Sequence, residues 1–157
     1  MTDARLDDDE FREAFERGAL PEGAFRHRDH VRLAWLYLRR LPPAAALERF
    51  AEGLRRFAAS VGKSGLYHET ITWAFLLLIR ERMGRGGEDT WPAFAERNPD
   101  LLAWKPSILD RYYRSETLAS DLARRVFVLP DRLAEGDLEA FSAPAVREDA
   151  GDPPPIR

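Results

Sequence analysis

Residues 66–83 read LYHETITWAFLLLIRERM, the longest nearly unbroken apolar pattern in the chain. Between Ile71 and Ile79 the side chains are apolar on nearly every side of a helix. A strand is the alternative, because isoleucine and threonine favour strands. The length of the run and its charged continuation at 80–82 favour a helix. A helix that is hydrophobic all round is usually the central one of a bundle, so we expect this helix at the centre of the fold.

Three further helical patterns precede this stretch. Their apolar residues recur with the 3.6-residue period of a helix, and glycines or prolines separate them. Pro42 and Pro43 end the second pattern and open the third, since proline suits the first turn of a helix. The predicted helices cover about residues 7–17, 27–40 and 43–61.

The C-terminal part of the chain predicts shorter helices. Thr90 and Asn98 are residue types that cap helix N-termini, and Ser107 with Asp110 matches a capping box. Another helix is expected over residues 115–128. Together these patterns predict an all-α fold, an irregular bundle of about four longer helices with short C-terminal helices.

The composition is that of one folded domain. The chain has 157 residues, of which 45% are hydrophobic and 32% charged, and this length can bury a core. From residue 142 onward the chain is rich in proline and has little to bury. We therefore expect a single helical domain at 1–141 followed by a disordered tail at 142–157.

Charge and residue usage exclude several classes of protein. The chain has no cysteine, which excludes disulfides, thiolate metal ligands and cysteine nucleophiles. Its net charge of −3 argues against a nucleic-acid binder, and no apolar run approaches the ~20 residues that cross a bilayer. The first ten residues are acidic, unlike a targeting sequence. We therefore expect a cytoplasmic protein that binds neither nucleic acid nor a membrane.

The three histidines of the chain are its sharpest functional signal. His27 and His30 lie in the first turn of the second predicted helix, and His68 lies in the first turn of the fourth. Helical spacing puts each of them on a stripe of apolar residues. In an up-down-up-down bundle the second and fourth helices are parallel, so their N-termini share one end. We therefore expect the three imidazoles to converge inside the bundle.

Converging imidazoles favour a metal site. His27 and His30 have the i, i+3 spacing that can bind one ion, and His68 would complete a set of three ligands. Without thiolates, such a set suits zinc or non-haem iron, and an open fourth position would make the site catalytic in type. Glu69 is then the candidate catalytic base or fourth ligand. The same histidines also fit a metal-free pocket for a small ligand, or hydrogen-bonding roles in the core.

Four other residues are candidates for substrate binding. Tyr67 and Thr70 flank His68 and are placed to line the same cavity. Lys105 and Arg111 belong to a polar and aromatic stretch, which would close over the pocket and bind an anionic group. Each of the four also has a purely structural interpretation, as a packing residue or a local hydrogen-bonding residue.

Three strings carry a resemblance to other proteins. They are FRHRDHVRLAW at 25–35, YHETIT at 67–72 and the segment at 112–124. They resemble a family of small, uncharacterised, all-helical bacterial proteins, and the resemblance covers most of residues 11–133. It implies a bacterial helical protein and supplies no activity.

Three functions are therefore open. The first is a small soluble metalloprotein, with zinc or iron held by the three histidines, that acts as a metal-dependent enzyme on a small molecule. The second is a metal-free module that binds a small molecule through the same residues. The third is an interaction protein, such as a homodimer, whose apolar fourth helix meets a partner.

Overall fold

The described part of the chain is all-α, as the sequence predicts. A computed structural model describes residues 6–87 and 90–132, and no strand occurs within them. The predicted tail at 142–157 and the end of the predicted domain lie outside the described residues. The helices are α1 (Asp8–Glu16), α2 (His27–Arg40), α3 (Pro43–Ser60), α4 (Glu69–Arg85), α5 (Trp91–Arg97), α6 (Pro99–Leu102), α7 (Ser115–Leu118) and α8 (Asp121–Arg125).

The boundaries of the long helices follow from local signals. The Asp7 side chain accepts a hydrogen bond from the Glu10 backbone N–H, and Glu10 accepts one from Asp7, so a complete capping box opens α1. Proline opens α3, as predicted. The fourth helix begins three residues later than predicted, because Ser64–Leu66 forms a short 3₁₀ turn and His68 caps the helix that follows.

Helix α2, and not the fourth helix, is the central one. Every residue from 33 to 38 is buried, and α2 contacts α1, α3, α4 and α6. On its far side the ring of Trp35 packs against Trp91 and Phe94 of α5. In α4, by contrast, Leu77 is 48% exposed. The expectation of a central α4 is therefore wrong, because α1, α5 and α6 cover α2 and leave one side of α4 open.

The side chain of Asn98 does not cap α6, although its residue type predicts that role. Its amide nitrogen donates to the Phe94 carbonyl at 2.8 Å, and its oxygen accepts from Arg82 at 2.9 Å. Arg82 also binds both carboxylate oxygens of Asp100, at 3.1 and 2.7 Å, and so holds the pKa of Asp100 below its usual range. The side chain of Asn98 therefore joins α4 to the end of α5 instead of capping α6. Thr90, in contrast, caps α5 as predicted.

The single helix predicted over residues 115–128 is also wrong. The chain forms α7 and α8, separated at Ser120, whose hydroxyl accepts a hydrogen bond from the Ala123 backbone N–H. The Thr70 hydroxyl contacts the carbonyls of Ala123 and Val126, at 2.7 and 2.9 Å, and accepts from the Val128 N–H at 3.1 Å. These tertiary bonds hold the segment after α8 extended, so it cannot continue as a helix.

No helix of the described ranges is both long enough and apolar enough to span a membrane.

Helices α1 and α3 approach each other at Gly53, where only a hydrogen atom separates the α3 backbone from a buried ring. A Cβ atom at this position would lie 2.4 Å from Cε1 of Phe15. Phe15 is 5% exposed and packs on Phe25, with 5.1 Å between ring centroids, so it has little room to move. The glycine is therefore required by packing.

We predict that Gly53→Ala lowers the free energy of unfolding by about 1–2 kcal/mol, because overpacking outweighs the gain in helix propensity. Gly84→Ala is the matched control, since Gly84 also lies in a helix and a Cβ there meets only ordinary contact at 3.8 Å. Urea unfolding of both variants measures the difference. A Gly53→Ala protein as stable as the Gly84→Ala protein would contradict the close approach.

Candidate functional site

A cavity of about 320 Å³ lies between α2, α3 and α4. Its lining is mostly apolar and aromatic. The polar part of the lining is gathered at the N-terminal ends of α2 and α4 and in the turn that follows α3. The apolar and aromatic residues are Phe25, Val31, Phe50, Leu54, Phe57, Ala58, Val61, Leu66, Ile71, Phe75, Ile79 and Trp104.

The three histidines all line this cavity. His27 is the first residue of α2, His30 lies one turn further, and His68 is the N-cap of α4. Helices α2 and α4 are in contact with each other, and both contribute their N-terminal residues to the lining. The arrangement concentrates polar atoms at one end of an otherwise apolar space.

Both ring nitrogens of His68 are engaged by the protein. Nδ1 accepts a hydrogen bond from the Ile71 backbone N–H at 3.2 Å, and Nε2 donates to the Leu118 carbonyl at 2.7 Å. Burial lowers the pKa of this imidazole, which is consistent with a neutral ring that donates once and accepts once. His68 therefore ties the start of α4 to the end of α7.

One nitrogen of His27 is engaged. Its Nε2 lies 2.8 Å from the Leu101 carbonyl, and because a carbonyl only accepts, Nε2 carries the proton. The ring lies between Phe75 and Trp104, with centroid distances of 4.9 and 5.1 Å. Burial lowers the pKa of His27, so the ring is neutral and its Nδ1 is a hydrogen-bond acceptor. No described residue donates to that Nδ1.

His30 forms no hydrogen bond with any described residue. Its ring meets the edge of Phe25, with 4.1 Å between centroids. A ring that lines a cavity keeps some accessible surface, yet the surrounding protein still removes it from bulk water. Burial is accordingly the main cause that lowers the pKa of His30 to about 4, with a smaller contribution from the nearby His27. His30 is therefore a neutral, polar ring without a hydrogen-bond partner in the described part of the chain.

The metal hypothesis gains no geometric support from these contacts. Among residues 6–87 and 90–132, no group of three or more histidine, aspartate or glutamate side chains is arranged to hold an ion. His68 has no lone pair left for a metal, and Nε2 of His27 carries a proton. Binding of zinc or iron by His27, His30 and His68 stays a prediction.

Glu69 faces away from the cavity. Its carboxylate accepts hydrogen bonds from Tyr67 at 2.6 Å, Arg55 at 2.9 Å and the Trp73 indole at 2.8 Å. It lines a separate shallow groove between α3 and α4. A carboxylate with three donors stabilises this surface, and nothing brings it near His30. Trp73 is half-buried and its ring stacks on Phe127.

Of the four predicted substrate-binding residues, Tyr67 lines the cavity and Thr70, Lys105 and Arg111 do not. Tyr67 lines the cavity, but its hydroxyl donates to Glu69, and burial together with that bond raises its pKa. Thr70 is fully buried among the C-terminal carbonyls described above and lies outside the cavity lining. Lys105 is exposed, and Arg111 lies 3.6 Å from Asp100. Neither of these two cations lines the cavity.

The sequence analysis did not identify the residues of α3 that line the cavity. Phe57 and Ala58 belong to the apolar face of α3, and that face predicts solid core. No local pattern separates a cavity wall from a packed core, because both are apolar with helical spacing. The lining also includes Lys63, one of the two lysines of the chain, which the sequence analysis did not consider.

Comparison with protein families, curated proteins and solved structures finds no match for this chain. The resemblance of its histidine strings to uncharacterised bacterial proteins therefore stays a prediction.

We predict that stability falls on acidification partly through His30. The unfolded chain protonates this histidine near pH 6.5 and the folded chain only near pH 4, so protonation favours unfolding. The contribution is complete above pH 6.5 and is lost as the pH falls towards 4, by up to roughly 3 kcal/mol. His30→Phe keeps an aromatic ring against Phe25 and removes the titration.

Urea unfolding of the wild type and His30→Phe at pH 7.0, 5.5 and 4.5 measures this effect. The variant should lose less stability over this interval than the wild type. Both proteins retain all other titratable residues, so the difference between their losses is assigned to His30 together with its effect on the nearby His27. Identical losses in the two proteins would contradict burial of a neutral His30.

Proposed function

We propose that this protein binds a small, largely apolar molecule in the cavity between α2, α3 and α4, without a metal. This is one of the functions that the sequence leaves open. The observation that carries it is His30, a neutral polar ring in an apolar cavity with no hydrogen-bond partner among the described residues. A buried polar group without a partner is costly, and a ligand that supplies one would recover that free energy.

The size and lining of the cavity support a ligand of this kind. Ligand pockets are typically mostly apolar concave spaces of about 300–1,000 Å³ with a few convergent polar groups, and this cavity of about 320 Å³ meets that description. An engineered apolar cavity of about 150 Å³ accommodates benzene. A molecule with roughly twice that bulk, such as a fused two-ring compound, therefore matches the space available.

The contacts of the histidines favour this function over a metal-dependent enzyme. His68 uses both nitrogens within the protein, and the candidate base Glu69 lies in a different groove with three donors of its own. Of the three histidines, His27 keeps Nδ1 and His30 keeps its whole ring without a hydrogen bond to any described residue, so these groups can contact a ligand. Metal-dependent catalysis and self-association remain predictions, and no described contact favours either.

We predict that the neutral fluorescent probe N-phenyl-1-naphthylamine binds the wild-type protein with a stoichiometry near one, and that EDTA leaves its binding unchanged. Ala58→Phe should weaken binding by at least about tenfold, because Ala58 lines the cavity and a larger ring there fills it. Ala59→Phe is the matched control, since the neighbouring Ala59 is exposed and lies outside the lining.

Fluorescence titration gives the affinities, and circular dichroism confirms that both variants are helical. If Ala58→Phe does not fold, Ala58→Leu fills less of the space and provides the same comparison. Equal probe binding by the Ala58 and Ala59 variants would overturn the proposal. Binding that EDTA abolishes and zinc restores would favour the metal hypothesis instead.

A further inference from the structure

We infer that the cavity selects an uncharged aromatic hydroxyl compound, a phenol with an apolar ring body, whose hydroxyl group lies between His27 and His30. This inference rests on the proposed function and names the ligand class of the same site. It concerns Nδ1 of His27 and the ring of His30, to which no residue of the described ranges is hydrogen-bonded.

The proton on His27 determines what the ligand must offer there. Because Nε2 donates to the Leu101 carbonyl, Nδ1 carries only a lone pair in the neutral ring. That atom can accept a hydrogen bond and cannot give one. A ligand group that pairs with it must therefore carry a proton to donate.

His30 adds the complementary requirement. A neutral imidazole has one N–H donor and one acceptor nitrogen, and neither has a partner among the described residues. His27 and His30 are three residues apart in the first turn of α2, so both rings project from one face, and both line the cavity. A hydroxyl group donates once and accepts readily. It can therefore donate to Nδ1 of His27 and accept the N–H of His30.

The walls of the cavity favour an aromatic body for this hydroxyl. Phe25 and Phe57 meet edge to face at a centroid distance of 4.8 Å, and Phe75 and Trp104 flank His27 on two sides. Aromatic rings pack against one another in tilted and edge-to-face arrangements with additional stabilisation beyond burial. A planar ring system that extends from the histidines towards α3 would meet such edges and faces.

An anionic ligand fits these groups poorly. A carboxylate has no proton to give to Nδ1 of His27, and the lone pairs of the two groups repel. Within the described lining, Lys63 is the one side chain that is charged at neutral pH, and it is exposed. The interior therefore offers a buried anion little compensation for its lost hydration.

The test compares four ligands that share one ring system. Displacement of bound N-phenyl-1-naphthylamine is measured at pH 7.0 with 2-naphthol, 2-methoxynaphthalene, naphthalene and 2-naphthoate. We expect 2-naphthol to bind about tenfold more tightly than naphthalene, as befits one or two net hydrogen bonds. The methyl ether should lose most of this preference because it cannot donate, and 2-naphthoate should bind most weakly.

A variant assigns the preference to the histidines. His30→Phe should reduce the ratio of 2-naphthol to naphthalene affinity to about two or less. Tyr37→Phe is the matched control and should retain the ratio, because it also removes a polar atom from a buried ring, but Tyr37 donates to Glu16 and lies outside the lining. If His30→Phe does not fold, the comparison of 2-naphthol with its methyl ether decides the question in the wild type.

The outcomes separate this inference from the proposed function. Equal affinities for naphthalene and 2-naphthol, or tightest binding of 2-naphthoate, would overturn the inference while the cavity stayed a binding site. A preference for 2-naphthol that His30→Phe leaves intact would also overturn it. Absence of binding by the probe and by all four compounds would overturn the proposed function itself.

Discussion

The middle of α2 is buried on every side, and the other helices are arranged around it. Its residues 33–38 are all removed from water, so helices must cover it in every direction. Helices α3 and α4 cover one part of its surface, and α1, α5 and α6 cover the others. The first turn of α2 extends beyond this solid core, and there α2, α3 and α4 leave a cavity between them. The histidines lie in this region of incomplete packing.

The three histidines have different roles although each lies at or near the N-terminal end of a helix. His27 and His68 each donate to a carbonyl from a later part of the chain, at Leu101 and Leu118. They hold the C-terminal segments against the N-terminal ends of α2 and α4, which is a structural role. His30 makes no such bond and faces the cavity. We assign ligand binding to this site because of that difference. The ring nitrogens of His30 are available to hydrogen-bond a ligand.

Much of the secondary structure could be predicted because its causes are local. The capping box at Asp7, the prolines before α3 and the threonine before α5 each set a helix boundary through atoms a few residues away. Predictions failed where a distant group competed with a local one. The side chain of Asn98 accepts a hydrogen bond from Arg82 instead of capping α6. Hydrogen bonds to Thr70 keep residues 126–128 extended instead of helical. Neither partner can be read from the local pattern.

The all-helical class, the approximate extents of the long helices and the placement of the histidines at helix starts follow from the sequence alone. Periodicity and caps are enough for these, since each depends on spacing along the chain. The central position of α2, the orientation of Glu69 towards another groove and the lack of a hydrogen bond from His30 to any described residue depend on the tertiary structure. These properties depend on which backbone carbonyls and side chains from remote segments reach each ring, and on how tightly three helices can pack around it.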